Sequence, residues 1–108
     1  MESEILRKMN KRVVRNFLDL LILLELRDNS MSGYDVISFV HKRFGVLLSS
    51  GTVYSCLGFL EREGLIKGEW MHRKRVYKLT EKGNQTAKEL LKMKDKILGL
   101  VVNLFIAK

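Results

Sequence analysis

The run Ser49-Ser50-Gly51-Thr52-Val53-Tyr54-Ser55 gathers five hydroxyl side chains around one glycine. At the start of a helix such residues stand beside backbone N–H groups that lack intrahelical partners and carry partial positive charge. That is a setting for a phosphate. A second group follows: Lys67, His72, Arg73, Lys74, Arg75 and Lys78 fall within twelve positions and face only Glu69. Both groups suit anion binding. Each also has a plainer use, because serines cap helices, Tyr54 can lie in a core, and charges on a hairpin protect its edges from aggregation.

Catalysis finds less support. His41, His72 and Cys56 are isolated from one another and lack the paired spacing of zinc ligands, so no metal or other cofactor is expected. There is no Gly-rich phosphate loop and no nucleophile elbow, and the chain reads as a non-enzyme. The single cysteine excludes an intrachain disulfide and fits a reducing cytoplasm, where it is expected as a buried, inert thiol.

Twenty Lys and Arg against twelve Asp and Glu leave a net charge of +8 on 108 residues. A field of that sign on one small domain attracts polyanions, nucleic acid foremost. Met1-Glu2-Ser3-Glu4 does not begin a signal peptide. The most apolar stretches, residues 20–24 and 98–105, fall short of the ~20 residues that span a bilayer, so no membrane partner is expected.

Several elements must position these groups. Residues 1–10 are weakly patterned and read as a frayed start. From Lys11 to Arg27, Val13, Val14, Phe17, Leu18, Leu21 and Leu24 recur at helical spacing. Ser32 with Asp35 signals the start of a second helix, with Tyr34, Ile37 and Val40 on its apolar face and Gly45 as its stop. The hydroxyl run then opens a third helix that ends at Gly64, with Val53, Leu57 and Leu60 inward. Residues 65–70 and 75–79 are β-prone and joined through Met71-His72-Arg73-Lys74, a hairpin with a basic tip. Trp70 beside the tip either pins the hairpin to the core or stacks on a ligand or base. Thr80 caps a last helix that can run to about Ala107.

Helix, helix, helix, hairpin, long helix is a mainly α fold with a small β-hairpin, arranged as a winged helix-turn-helix. The expected division is residues 1–79 for the winged domain and 80–108 for a C-terminal dimerisation helix, in one compact domain. In that helix Leu90, Ile97, Val101 and Leu104 are flanked by Leu91, Leu98 and Phe105. One small core cannot cover all of them, and a second copy is the economical partner.

The segments Ser32-Gly33-Tyr34-Asp35-Val36, Ser50-Gly51-Thr52-Val53-Tyr54 with Leu57, the run from Leu60 through Gly64 to Ile66, and Arg75-Val76-Tyr77-Lys78-Leu79-Thr80-Glu81-Lys82-Gly83 resemble the PadR family of transcription regulators. The resemblance covers roughly residues 13–90. It implies a winged-helix homodimer that represses transcription by binding a palindromic operator in double-stranded DNA, with Gly51, Thr52 and Tyr54 opening the recognition helix. An inducer, a small-molecule effector of unknown identity, would lie between the long helix and the first helix, near Phe17 and Phe105. The chain departs from the family twice: Ser55 replaces the usual proline, and Gly58-Phe59 replaces a basic pair. The expected DNA contacts therefore narrow to Ser50, Gly51, Thr52, Tyr54 and Ser55 and to the wing residues Arg73, Lys74 and Arg75. Two other classes stay open on the residues alone: a winged-helix protein-interaction module, and a nonspecific architectural DNA binder.

Overall fold

The computed structural model describes residues 1–106. Its first helix, α1 (Glu2–Asn16), begins well before the expected Lys11. Glu2 and Glu4 sit in its first turn, where carboxylates oppose the positive end of the helix dipole, and Glu4 pairs with Lys8 at 3.4 Å. Asn10 ties this segment to the body by donating to the Phe44 carbonyl at 2.9 Å.

The expected helix to Arg27 is divided at Phe17 (φ −110°, ψ 23°), after which α2 (Leu18–Glu25) follows. Hydrogen bonds from Phe17 N–H to Val13 and from Leu21 N–H to Phe17, both 3.0 Å, carry the ladder across, so the division is a local irregularity rather than a loop. The Asp19 carboxylate accepts from the Leu20 N–H at 2.8 Å, satisfying one first-turn donor of α2. Leu18, Ile22 and Leu23 of this all-apolar helix are buried.

Next comes β1 (Met31–Ser32), then α3 (Gly33–Phe44). Ser32 Oγ accepts from Asp35 N–H at 3.1 Å, and the Asp35 carboxylate accepts from Ser32 N–H at 2.9 Å, completing the capping box. The reciprocal bond lowers the Asp35 pKa, and partial burial opposes it. Gly45 ends the helix in the left-handed region at φ 70°, as its position predicts. Tyr34 departs from expectation and is 72% exposed. The buried face is centred on Val36 and Val40, and Tyr34 lies more than a quarter-turn from it at 100° per residue.

Helix α4 (Ser50–Arg62) packs against α3 in the helix-turn-helix arrangement, and buries Val53, Leu57 and Leu60. Strands β2 (Ile66–Met71) and β3 (Lys74–Leu79) form the hairpin. Its turn is shorter than expected, because Met71 pairs with Lys74 and leaves only His72 and Arg73 as the loop. Both have positive φ, 48° and 66°, the geometry of a two-residue turn that follows the twist of its strands. The sheet also gains a strand, with order β1-β3-β2: Met31 pairs with Tyr77 and Ser32 with Val76. Ser32 thus belongs to the sheet and caps α3 at once. Two residues are too few to show an alternating pattern, so β1 has no periodic signature.

Thr80 caps α5 (Glu81–Lys92) by accepting from Gly83 N–H at 3.0 Å. Met93 separates α5 from α6 (Lys94–Ile106), where one helix was expected. Met93 N–H still bonds Glu89 at 3.0 Å and Ile97 N–H bonds Met93 at 2.9 Å, so the C-terminal arm is nearly continuous. Ala107 lies outside the described residues. The core runs from Val14 and Leu18 through Val36, Val40 and Leu57 to Ile66 and Tyr77.

Candidate nucleic-acid interface

The N-terminus of α4 is held open by its own cap. Ser49 Oγ accepts from Thr52 N–H at 3.2 Å and bonds Thr52 Oγ1 at 2.9 Å. Capping thus falls to Ser49, and Ser50, Gly51, Thr52, Tyr54 and Ser55 are all exposed. Tyr54 is not in the core, at 49% exposed. Its ring instead lies across the backbone of Gly33, where an added Cβ would meet Tyr54 Cε1 and Oη at 2.6 Å. The first residue of α3 therefore has to be small for Tyr54 to take this pose.

Gly51, Ser55, Gly58 and Arg62 recur at four, three and four residues and point opposite the buried face of α4. The Arg62 side chain turns back one helical turn, and its Nη1 lies 3.3 Å from where a Cβ on Gly58 would stand. Helical side chains lean toward the N-terminus, so an Arg four residues after a Gly covers that gap. Sequence reasoning misses Arg62, although the Gly58–Arg62 spacing was a usable signal.

At the wing, Arg73 and Lys74 are exposed and make no ion pair among the described residues. Lys78 pairs with Glu69 at 3.4 Å on the hairpin itself. Arg75 points toward α4, with its Nη2 2.9 Å from Glu61 Oε2. This hydrogen bond raises the Arg75 pKa further above its ordinary value. Trp70 is not pinned into the core but is 71% exposed, with the Arg75 guanidinium over its ring at 5.8 Å. The expected residues thus form two groups, the opening of α4 and the wing, and Arg75 ties the wing to the last turn of α4 through Glu61.

The model of the transcriptional regulator PadR-like family matches residues 20–89, more than half of the chain. The chain belongs to the PadR-like family. That is a family of transcription regulators rather than enzymes. A PadR family regulator from Eggerthella lenta shares the fold with a TM-score of 0.76 at 22% identity, over 99% of this chain and 97% of that one. Bacillus subtilis PadR, solved in complex with operator DNA, gives 0.63 at 30% identity, over 68% of this chain and 46% of that one. The transcriptional activator GvpE1 of Halobacterium salinarum is 29% identical over 83 residues, 75% of this chain. The PadR-like chain spans only 43% of that relative's length.

The remaining expected residues sort by burial. Leu90 and Ile97 are half-buried against the body, whereas Leu91, Leu98, Val101, Leu104 and Phe105 are exposed, Phe105 at 82%. Helix α6 buries none of its residues, and Ile5, Leu6 and Met9 of α1 are exposed as well. An apolar pocket of about 300 Å³ lies between α1–α2 and α6, with Val13, Phe17 and Leu21 on one side and Ile97 and Val101 on the other. Phe17 lines it; Phe105 does not. Cys56 is half-buried, and burial, with Asp19 nearby, pushes its thiol up to about 11, so it stays protonated at neutral pH. No metal-ligating cluster and no helix long and apolar enough to cross a membrane occur among the described residues.

Proposed function

We propose that this PadR-like chain is a sequence-specific regulator that binds a palindromic operator in double-stranded DNA as a homodimer and represses transcription from it, acting in the cytoplasm. The observation that carries the reading is that the hydroxyl-rich opening of α4 and the wing-tip cations Arg73 and Lys74 are all exposed. Ser50, Gly51, Thr52, Tyr54 and Ser55 take backbone phosphates and sugar edges. Arg62 supplies the cation that Gly58 and Phe59 do not, within the ~12 Å major groove. Arg73 and Lys74 hold the flanking phosphates. Repression is the sense implied by the family resemblance, and a promoter–reporter assay separates it from activation, the role in the GvpE1 name.

The dimer has its own support in the uncovered apolar face of α6 and the neighbouring face of α1. A second copy that buries those faces also sets two α4 helices one DNA turn apart, ~34 Å. The test is titration of DNA at low salt with wild type, Thr52→Ala and Tyr54→Ala, alongside sedimentation of the free protein. The proposal expects a dimer whose affinity drops at least about tenfold in each variant. A monomer, or variants that bind like wild type, overturns it.

The pocket between α1–α2 and α6 supports a second element of the reading, an effector that is largely apolar. Its volume of about 300 Å³ stands at the lower end for small-molecule sites. Asn10 and Lys94 at its border offer a hydrogen bond and a positive charge to a polar substituent.

A further inference from the structure

We propose that Arg75 is a positioning residue that locks the wing to the recognition helix through Glu61, rather than a phosphate contact. The proposal rests on the DNA-binding reading above and assigns Arg75 a different role from Arg73 and Lys74.

The wing needs such a lock. Strand β1 supports β3 only at Val76 and Tyr77, so the outer pairs Trp70–Arg75 and Met71–Lys74 form a bare two-stranded ribbon. Two-stranded ribbons twist freely and are barely stable alone. The bond from Arg75 to Glu61 is a side-chain hydrogen bond from this outer ribbon to a helix of the body. It spans 14 residues of sequence and joins β3 to the last turn of α4.

The guanidinium is held from several directions. It lies 5.8 Å from the Trp70 ring centroid and 5.9 Å from that of Tyr77, a buried residue of the core. Its path crosses Gly68, where a Cβ would stand 2.7 Å from Nε and 2.9 Å from Cζ. A glycine inside a strand weakens it, and here it opens the channel for the Arg75 side chain. The two charged side chains are 35% and 30% exposed, so water competes with the pair less than at an open surface. The bond to Glu61 and the two neighbouring rings hold the guanidinium in one pose, turned toward α4. The Trp70 indole beside Arg75 is itself largely open to solvent.

Glu61→Gln separates the two roles. Removing a negative charge beside bound DNA should tighten binding if Arg75 and Glu61 merely tune the field. A broken lock should instead weaken it, because a loose wing must be ordered on binding. We expect full-length Glu61→Gln and Arg75→Gln each to bind selected DNA about three- to tenfold more weakly, with a double variant no worse than either single. Neither should lower the salt slope by the ~0.9 that one lost phosphate contact gives. Trp70 is the only tryptophan in the chain, so its emission and anisotropy report the wing without DNA. Both should change in the free Glu61→Gln variant while the far-ultraviolet circular dichroism does not. An Arg75→Gln slope reduced by ~0.9, with Glu61→Gln binding as tightly as wild type or tighter, overturns the proposal. Unchanged Trp70 anisotropy in both variants also overturns it. If wild type binds no DNA, the DNA-binding reading fails, and the Trp70 measurement still decides whether the lock exists.

Discussion

Helices α4 and α6 are each thirteen residues long, and they complete their burial in opposite ways. The inward face of α4 carries Val53, Leu57 and Leu60 into the core, and the opposite face carries Gly51, Ser55, Gly58 and Arg62. Helix α6 has no fully buried residue and presents Leu98, Leu104 and Phe105 to solvent. A polar face next to a basic wing is complementary to a polyanion. An apolar face of that extent is complementary to another apolar face, because uncovered hydrophobic area is unfavourable in water. In the proposed reading one element faces DNA and the other a second copy.

The strongest way to break this contrast is to charge the α6 face. Leu104→Asp with Phe105→Asp should weaken the dimer by at least ~3 kcal/mol, over 100-fold, seen by sedimentation across a concentration series. Circular dichroism should show the monomer still folded, since neither side chain is in the core. The matching change in α4 acts on the fold instead. Leu57→Ala should cost about 3 kcal/mol in denaturant unfolding, from lost burial and the cavity left behind. If Leu104→Ala destabilised the dissociated monomer by as much, α6 would be part of the core and the contrast would fail.

Removing charge from the wing sharpens the DNA side. Arg73→Ala with Lys74→Ala should lower the slope of log affinity against log salt by about 1.8, two phosphates at ~0.9 each. The smallest effect belongs to the cap that joins sheet and helix. The Asp35 pKa is lowered below 3.8 by its bond to Ser32 N–H, so its stabilisation is fully present above pH 3.8 and fades as pH falls through the folded value. Asp35→Asn should therefore flatten that part of the acid limb. Ser32→Ala should cost about 1 kcal/mol at neutral pH.

Features carried by adjacent residues were legible in the sequence. The Ser32–Asp35 box, the Gly45 stop and the Thr80 cap depend on neighbours three or four positions away, and the order of helices and hairpin followed from them. What escaped depends on distant partners. Strand β1 exists because Met31 and Ser32 meet Val76 and Tyr77 across the fold. The contact of Asn10 with Phe44, 34 residues away, likewise has no local mark. The irregularities at Phe17 and Met93 leave no mark in apolar periodicity, and neither is a Gly or Pro. For the candidate site, residue type points to two segments suited to an anion, but not to which cation faces outward. Arg75 is bonded inward to Glu61, while Arg62 covers Gly58 on the exposed face.

The central claim is that two copies present two α4 helices to DNA in a symmetric pair. Selecting bound sequences from a random DNA pool with the full chain tests it most directly. A symmetric pair should enrich an inverted repeat whose half-site centres lie about 10 base pairs apart. Enrichment of a single half-site, of a direct repeat, or of no sequence at all would contradict it.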